Sequence, residues 1–358
     1  MIVTKLELKS FRNYPSLVVD FDKKLNVITG PNGAGKTNIV EAIHYLSLAR
    51  SFRAENDFEL MRRGDTTAFI DATITEGDLT RKVRVTFTPE GKLISCNGKK
   101  ISRLSELSHL VNVIIFEPSD VNMFRDVPKA RRKFLDVSLS KQSSTYLGLI
   151  SRYEKALKER NAILKSEHPD LLHLDATTEL MVELSEPIIQ YREEYVARIN
   201  EILGRVVQAL GGVDAQAQVV YQPYMKAIAD FPSEAHSLFA QALETDLRRK
   251  SSSVGIQRED FSVLLNGSDI GRYGSQGENR LIALALKLSP YFLIKNKEKR
   301  PIIVLDDALS ELDENHQERL IQFLGRFEQV FITTTHYEKK DASVYEVSEH
   351  KVLRRKAE

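Results

Sequence analysis

Cysteine and tryptophan are all but missing from this chain of 358 residues, which has one Cys, at position 96, and no Trp. A single thiol excludes an internal disulfide and a cysteine-rich zinc site built within one chain, and it suits a reducing compartment. No apolar run approaches the roughly 20 residues that span a bilayer. Met1–Ser10 alternates Ile2, Val3, Leu6 and Leu8 with charged residues, unlike the uninterrupted core of a secretory signal. A cytoplasmic protein without membrane contact is the expectation. Excess charge of either sign is also absent: 51 basic residues stand against 50 acidic ones, leaving a formal net charge of +1. Any binding to nucleic acid must therefore use a local basic patch, because the field of the whole molecule is close to neutral.

What is present has the pattern of an α/β protein. Ile2–Lys9, Leu17–Phe21 and Leu25–Thr29 read as strands, followed by a Gly-rich segment. A helix is expected over Thr37–Leu48, with Ile39, Val40, Ile43 and Leu46 at helical spacing. Strands are expected at Thr67–Thr75, Arg81–Thr88 and Leu93–Cys96, the last two joined by a turn at Pro89–Lys92. The continuous apolar run Val111–Phe116 reads as a buried central strand. From Lys129 to about Leu210 the composition turns to long-helix sequence, broken near His168-Pro169 and Gly211-Gly212. Strand signals return at Phe261–Leu265 and Ile302–Leu305, with helices over Glu278–Ile294 and Glu314–Leu324 and a last core strand at Val330–Thr333. The expected organisation is a discontinuous domain, 1–125 and 251–358, flanking a mainly helical insertion, 126–250.

Gly30-Pro31-Asn32-Gly33-Ala34-Gly35-Lys36-Thr37 fits G-x-x-x-x-G-K-[ST] between a strand and a helix, the context this phosphate-binding motif requires. Glycines let successive N–H groups converge on phosphate oxygens, and the following helix turns its positive end to the same anion. Lys36 is expected to reach the β and γ phosphates of ATP, and the Thr37 hydroxyl to ligate Mg²⁺. Ile302-Ile-Val-Leu-Asp-Asp307 is an apolar strand ending in two acids. Asp306 is expected beside the Mg²⁺ held by Thr37, and Asp307 where it can orient attacking water. Ser275-Gln-Gly277 opens a helix, where hydroxyl, N–H groups and dipole can face an anion or simply form an N-cap.

The order of these parts, closed by Ser310-Glu-Leu-Asp313 and an apolar strand leading to His336, resembles the head of ABC-type ATPases, with a mixed sheet and flanking helices. Finer likenesses single out a branch. Leu8-Lys-Ser-Phe-Arg-Asn-Tyr14, Asn38-Ile-Val-Glu-Ala-Ile43, Arg50-Ser-Phe-Arg53, Phe116-Glu-Pro-Ser-Asp120, Pro128–Asp136 and Gly255-x-x-Arg258-x-Asp260 run from end to end. On them the chain is identified as a member of the RecF family. The resemblance implies that Arg12, Asn13 and Asn38 lie near the nucleotide, that Ser275 and Gly277 cap ATP bound to an opposite subunit, and that His336 falls at the switch-histidine position. It also implies an ATP-dependent homodimer, duplex DNA bound without sequence preference near single-strand gaps, and RecO and RecR as partners in replication and recombinational repair. Hydrolysis is expected to be slow, because Asp307 is one methylene shorter than the Glu common in this superfamily; stimulation by DNA is expected as well. The insertion of at most about 130 residues holds no cysteine, so the long coiled-coil arms of SMC proteins are excluded.

Two departures stand out. Glu278 and Asn279 occupy positions usually filled by Gln in the family signature, and a carboxylate at 278 would repel a γ-phosphate. No Gln matches the Mg²⁺-sensing loop of transporters, and Glu117 or Asp120 stands in that region. Basic clusters at Arg50/Arg53, Lys99-Lys100, Lys129–Lys133, Arg248–Lys250 and Arg354–Lys356 are the DNA candidates, and Arg131 and Arg132 have an intramolecular alternative as partners of neighbouring acids. Two readings compete with the DNA clamp. One is the ATPase subunit of a transporter, and the other is an interaction module for which ATP is a switch without hydrolysis.

Overall fold

The computed structural model describes the chain apart from residues 103–105, 108–109, 212–214, 227–228, 311, 339–340 and 356–358. Two compact units are present: Met1–Val121 with Arg205–Val213 and Leu284–Glu358, and Asn122–Gly204 with Asp214–Ala283.

In the first unit, β1 (Ile2–Phe11), β2 (Tyr14–Asp20), β4 (Ala68–Glu76), β5 (Leu79–Thr88), β6 (Gly91–Cys96) and β7 (Lys99–Lys100) form a sheet of order β2-β1-β4-β5-β6-β7. Every neighbouring pair in it is antiparallel. A second sheet has the order β15-β14-β3-β13-β12-β8, from β3 (Lys24–Thr29), β8 (Val113–Phe116), β12 (Ile302–Leu305), β13 (Gln329–Thr334), β14 (Ser343–Ser348) and β15 (Lys351–Arg354). Its strands β14, β3, β13, β12 and β8 are parallel, and β15 alone runs against them. Their carboxyl ends thus share one rim, the side of such a sheet where ligands bind. Helix α1 (Lys36–Leu48) touches strands of both sheets. That explains its apolar surround: Ile39, Val40, Ala42, Ile43, Tyr45 and Leu46 are all fully buried, as in a helix packed on several faces.

Two expectations are corrected here. Val111–Phe116 was expected in the centre of a sheet, but β8 forms one edge of it among the described residues. Its apolar run reports cover on both faces, which an edge strand packed under α1 also has. Val330–Thr333 is not the last core strand either. β14 follows, inserted beside β3, with Val344, Tyr345 and Val347 buried.

The second unit holds α2 (Pro128–Gln142), α3 (Ser144–Lys165), most of α4 (Leu171–Ala209) and α5 (Phe231–Arg249). It also holds a three-stranded sheet of β9 (Ala217–Gln222), β10 (Asp260–Leu265) and β11 (Ser268–Asp269). Residues 251–283, placed with the ATPase halves on sequence, cluster in this unit because β10 pairs along its length with β9. The first part of α6 (Gln276–Leu293) belongs to it too. Two buried ionic networks fasten its elements. Arg160 donates to Asp246, Ser252 and Thr178. Arg192 donates to Asp136 and Glu259. Burial pushes the Glu259 carboxyl up, and Arg192 together with the Tyr221 hydroxyl opposes the rise.

Candidate nucleotide site

β3 ends at Thr29, and the chain turns at once through Gly30–Gly35 into α1. Gly30 has φ 149°, and a Cβ there would sit 2.3 Å from the Val347 carbonyl oxygen of β14, so only glycine fits. Gly35 has φ 111° and lies against the Asn13 side chain, where a Cβ would come within 2.7 Å. Because Gly35 occupies the N-cap, no side chain caps α1, and its first turn carries no acid. The amide end of the helix therefore keeps the positive potential that a phosphate would meet. Pro31, Asn32 and Gly33 form the exposed apex of the loop, with Ala34 partly covered. Lys36 folds back over it, its Nζ donating to the carbonyls of Gly30 at 2.7 Å and Pro31 at 3.0 Å. Burial lowers the Lys36 pKa, and the nearby Asp307 and Asp306 oppose the shift. The ammonium is thus held at the loop by weak neutral acceptors that phosphate oxygens can replace.

β12 delivers the acids. Asp306 Oδ1 accepts from Thr37 Oγ1 at 3.0 Å and from Thr333 Oγ1 at 2.7 Å. The Asp307 N–H donates to Thr333 Oγ1 at 2.9 Å. Thr333, on β13, is a residue that sequence reading passed over inside a Thr run; it ties the two acids to one hydroxyl. Burial raises the Asp306 pKa while the Thr333 and Thr37 hydroxyls hold it down. Asp307 sits in the left-handed region at φ 52°, a conformation that costs a non-glycine residue energy and concentrates at functional sites. Thr37 and Asp306 offer two hard oxygens within one hydrogen bond of each other. No group of three metal-ligating His, Cys, Asp or Glu side chains exists among the described residues. Such a donor set fits Mg²⁺, which takes one or two carboxylates and completes its shell with phosphate oxygens and water.

Beside the loop, Asn13 Nδ2 donates to the Ala34 carbonyl at 3.2 Å, and Asn38 Nδ2 donates to Asn13 Oδ1 at 2.7 Å. Arg12 lies elsewhere in its bonding: Nε and Nη2 grip the buried Glu41 at 2.8 and 2.6 Å, and Nη1 reaches the Glu59 carbonyl. Arg53 Nη1 reaches Asn38 Oδ1 at 3.3 Å. A cation next to the loop is thus present as Arg53, and Arg12 is committed to holding α1. His336 is exposed just beyond β13 and pairs with Glu338 at 3.0 Å. Asp120 accepts from the Glu117 N–H and pairs with Lys287 at 2.7 Å.

Ser275 and Gly277 lie in the second unit at the exposed start of α6. Here the N-cap alternative is realised. Ser275 Oγ accepts from the Glu278 N–H at 3.2 Å, while Glu278 Oε2 accepts from the Ser275 N–H at 2.8 Å and from its hydroxyl at 2.9 Å. This reciprocal pairing is a capping box, and it holds the Glu278 pKa below the ordinary carboxylate range. Asn279, buried, donates to the carbonyls of Ile270, Gly274 and Ser275. The two departures from the family signature therefore brace the corner. Replacing Ser275 by Ala should cost about 1 kcal/mol, seen as a lower denaturant midpoint; an unchanged midpoint would show that the cap carries no stability.

The basic clusters separate. Arg131 forms a two-pronged pair with Asp260, and Arg132 donates to the Glu259 carbonyl, so the intramolecular alternative holds for both. Arg354 pairs with Asp22 and Arg355 with Glu346, while Lys356 lies outside the described residues. Arg50, Arg53, Lys99, Lys100, Lys129, Lys133, Arg248, Arg249 and Lys250 remain exposed.

The family described as RecF/RecN/SMC N terminal domain matches residues 2–352. The DNA replication and repair protein RecF of Clostridium acetobutylicum is 33% identical over 364 residues, covering 98% of this chain and 99% of the relative. The protein of the same name from Geotalea daltonii is 32% identical, covering 99% of this chain and 100% of the relative. A solved structure of the recombination mediator protein RecF-ATP in the RecFOR pathway superposes with a TM-score of 0.88 at 28% identity, over 99% of this chain and 97% of that one. The Smc head domain from Pyrococcus furiosus gives a TM-score of 0.59 at 17% identity over 99% of this chain and 96% of that one, a likeness of fold.

Proposed function

Because this chain belongs to the RecF/RecN/SMC family, we propose that it is an ATP-dependent DNA-binding protein of replication and recombinational repair. The observation that carries the reading is the convergence of Lys36, Thr37 and Asp306 on an uncapped helix end at the rim of a parallel sheet. Lys36 exchanges its carbonyl partners for β and γ phosphate oxygens, and Thr37 and Asp306 hold Mg²⁺, which supplies charge neutralisation at the phosphates. Asp307 orients water. Its shorter side chain holds that water loosely, so turnover is slow and serves DNA release.

Two copies join through nucleotide, the Ser275–Gly277 corner of one closing on the phosphate loop of the other. The exposure of both elements supports this. The Ser275 hydroxyl must then leave the Glu278 carboxylate, and that carboxylate must swing off the corner, before a phosphate can take its place. DNA lies against exposed cations among Arg50, Arg53, Lys99, Lys100, Lys129, Lys133 and Arg248–Lys250. Phosphate contacts of this kind position a duplex without reading its sequence. The similar proteins are named for DNA replication and repair and for the RecFOR pathway, which supports a role in repair with RecO and RecR as partners; action near single-strand gaps in the cytoplasm belongs to the same proposal. No helix among the described residues is long and apolar enough to cross a membrane.

Duplex binding in the presence of ATP tests the reading. If about six phosphates are neutralised, affinity should fall roughly a thousandfold between 50 and 200 mM salt, alike for unrelated sequences. An affinity indifferent to salt, or equal with ATP and ADP, would contradict it.

A further inference from the structure

The rim of the parallel sheet has one occupant that no motif announced. β14 runs parallel to β3 with Glu346 opposite Thr29, so its carboxyl end emerges beside the phosphate loop. There it turns back into β15 through a two-residue loop, Glu349-His350, between the paired residues Ser348 and Lys351. Both loop residues are left-handed, at φ 45° and 65°. Such turns normally take Asn-Gly or Asp-Gly, because other side chains are strained there. Strain held at the edge of a ligand site is a mark of function when a contact accompanies it.

That contact exists. His350 Nδ1 lies 3.0 Å from Asn13 Nδ2, the same nitrogen that donates to the Ala34 carbonyl. The imidazole also meets the Tyr14 ring edge-on, with centroids 6.3 Å apart, and the Tyr14 hydroxyl donates to the Gly35 carbonyl. Val347, two residues before the turn, is the residue whose carbonyl forbids a side chain at Gly30. The hairpin is therefore packed on the loop itself, and His350 is exposed at its tip.

The direction of the bound chain follows from the other groups. Lys36 and the Thr37–Asp306 pair define the γ end. Asn38, on the next helical position, points its side chain to Asn13 instead of Asp306. Residues adjacent on a helix diverge by about 100°, so the Asn38–Asn13–His350 group lies to a different side of the loop from the Thr37–Asp306 pair, where a nucleoside extending from the γ end would pass.

We infer that His350, presented by the β14–β15 turn, contacts the nucleoside of the bound nucleotide and sets its affinity apart from that of the phosphate chain. This rests on the ATP site proposed above. A ring stacked on a base contributes enough for about a fivefold effect or more.

The test is a titration of the full-length protein in Mg²⁺ with ATP and, separately, with inorganic tripolyphosphate, which lacks a nucleoside. Wild type is compared with His350→Gly, which suits the left-handed turn, and His350→Asn, which tolerates it; thermal melting checks the fold of each. Both variants should bind ATP at least about fivefold more weakly and tripolyphosphate as wild type does. Equal weakening of both ligands, or undiminished ATP binding by both variants, would overturn the inference. Failure of the wild type to bind ATP would instead overturn the nucleotide site, so the two failures are distinguishable.

Discussion

Replacing Lys36 by Met should weaken ATP binding roughly ten- to a hundredfold, measured by equilibrium titration with a fluorescent nucleotide. A charge-assisted contact contributes about 1.5–3 kcal/mol, and affinity changes tenfold per roughly 1.4 kcal/mol. The ammonium is buried and its pKa is depressed by that burial, so the neutral Met removes a desolvation cost and the fold should persist. The effect on assembly is larger. A dimer closed by two nucleotides loses the contact twice, so its association constant falls by about the square of the single-site factor, and light scattering with ATP should register monomer. Undiminished dimerisation of this variant would mean that the phosphate loop does not bring the copies together.

Replacing Arg160 by Leu should destabilise the protein by about 3–5 kcal/mol, a typical loss when one partner of a buried ion pair is removed. Arg160 and Asp246 are both almost wholly buried, and the pair spans α3 and α5 at 2.7 Å. Asp246 also accepts from the N–H and hydroxyl of Ser253, and Arg160 lies over the Phe239 ring, so the substitution leaves a buried carboxylate without its counter-charge and removes a ring contact as well. In urea the midpoint of the second unit should fall by about 1–2 M. The double variant Arg160→Met with Asp246→Leu should regain part of the loss, since it leaves no unpaired charge, while the Ser253 N–H and hydroxyl lose their acceptor. A single variant within about 1 kcal/mol of wild type would show that the Arg160–Asp246 pair does not hold the second unit together.

The parts legible in the sequence are those whose signals are local. Gly30–Thr37 is a contiguous motif with a positive-φ requirement at Gly30, Gly33 and Gly35, and the backbone meets it. Ile302–Leu305 and Glu314–Leu324 carry their whole pattern within one element and occur with the expected bounds. Pairing is different, because it depends on residues far along the chain. Nothing near Phe261 says that its partner is Tyr221, so the assignment of 251–283 followed composition while the structure follows the β9–β10 ladder. The apolar run of β8 likewise reports burial without naming a neighbour. β14 was missed because Ser343, Glu346 and Ser348 interrupt its apolar residues, which suits a strand near the sheet edge.

At the site, residue types are legible in the sequence, whereas their partners are set by the fold. Asn13 and Asn38 join at the loop, whereas Arg12 turns to Glu41, a buried acid that the periodicity of α1 hid among apolar neighbours. Ser275 was readable either as a phosphate ligand or as a cap. Glu278, three residues on, is the signal that decides for the cap in this state, because Ser-x-x-Glu is the capping-box spacing. His350 carried no motif at all. Its position follows from the parallel register of β14 with β3, which lies beyond any local pattern.

Sedimentation velocity of the full-length protein in Mg²⁺, with ATP and with ADP, bears most directly on nucleotide-driven association. With ATP the boundary should move to the value of a two-chain particle, and with ADP it should stay at one chain; Ser275→Arg should remain a single chain with ATP bound. A wild-type protein saturated with ATP that still sediments as one chain would contradict the account.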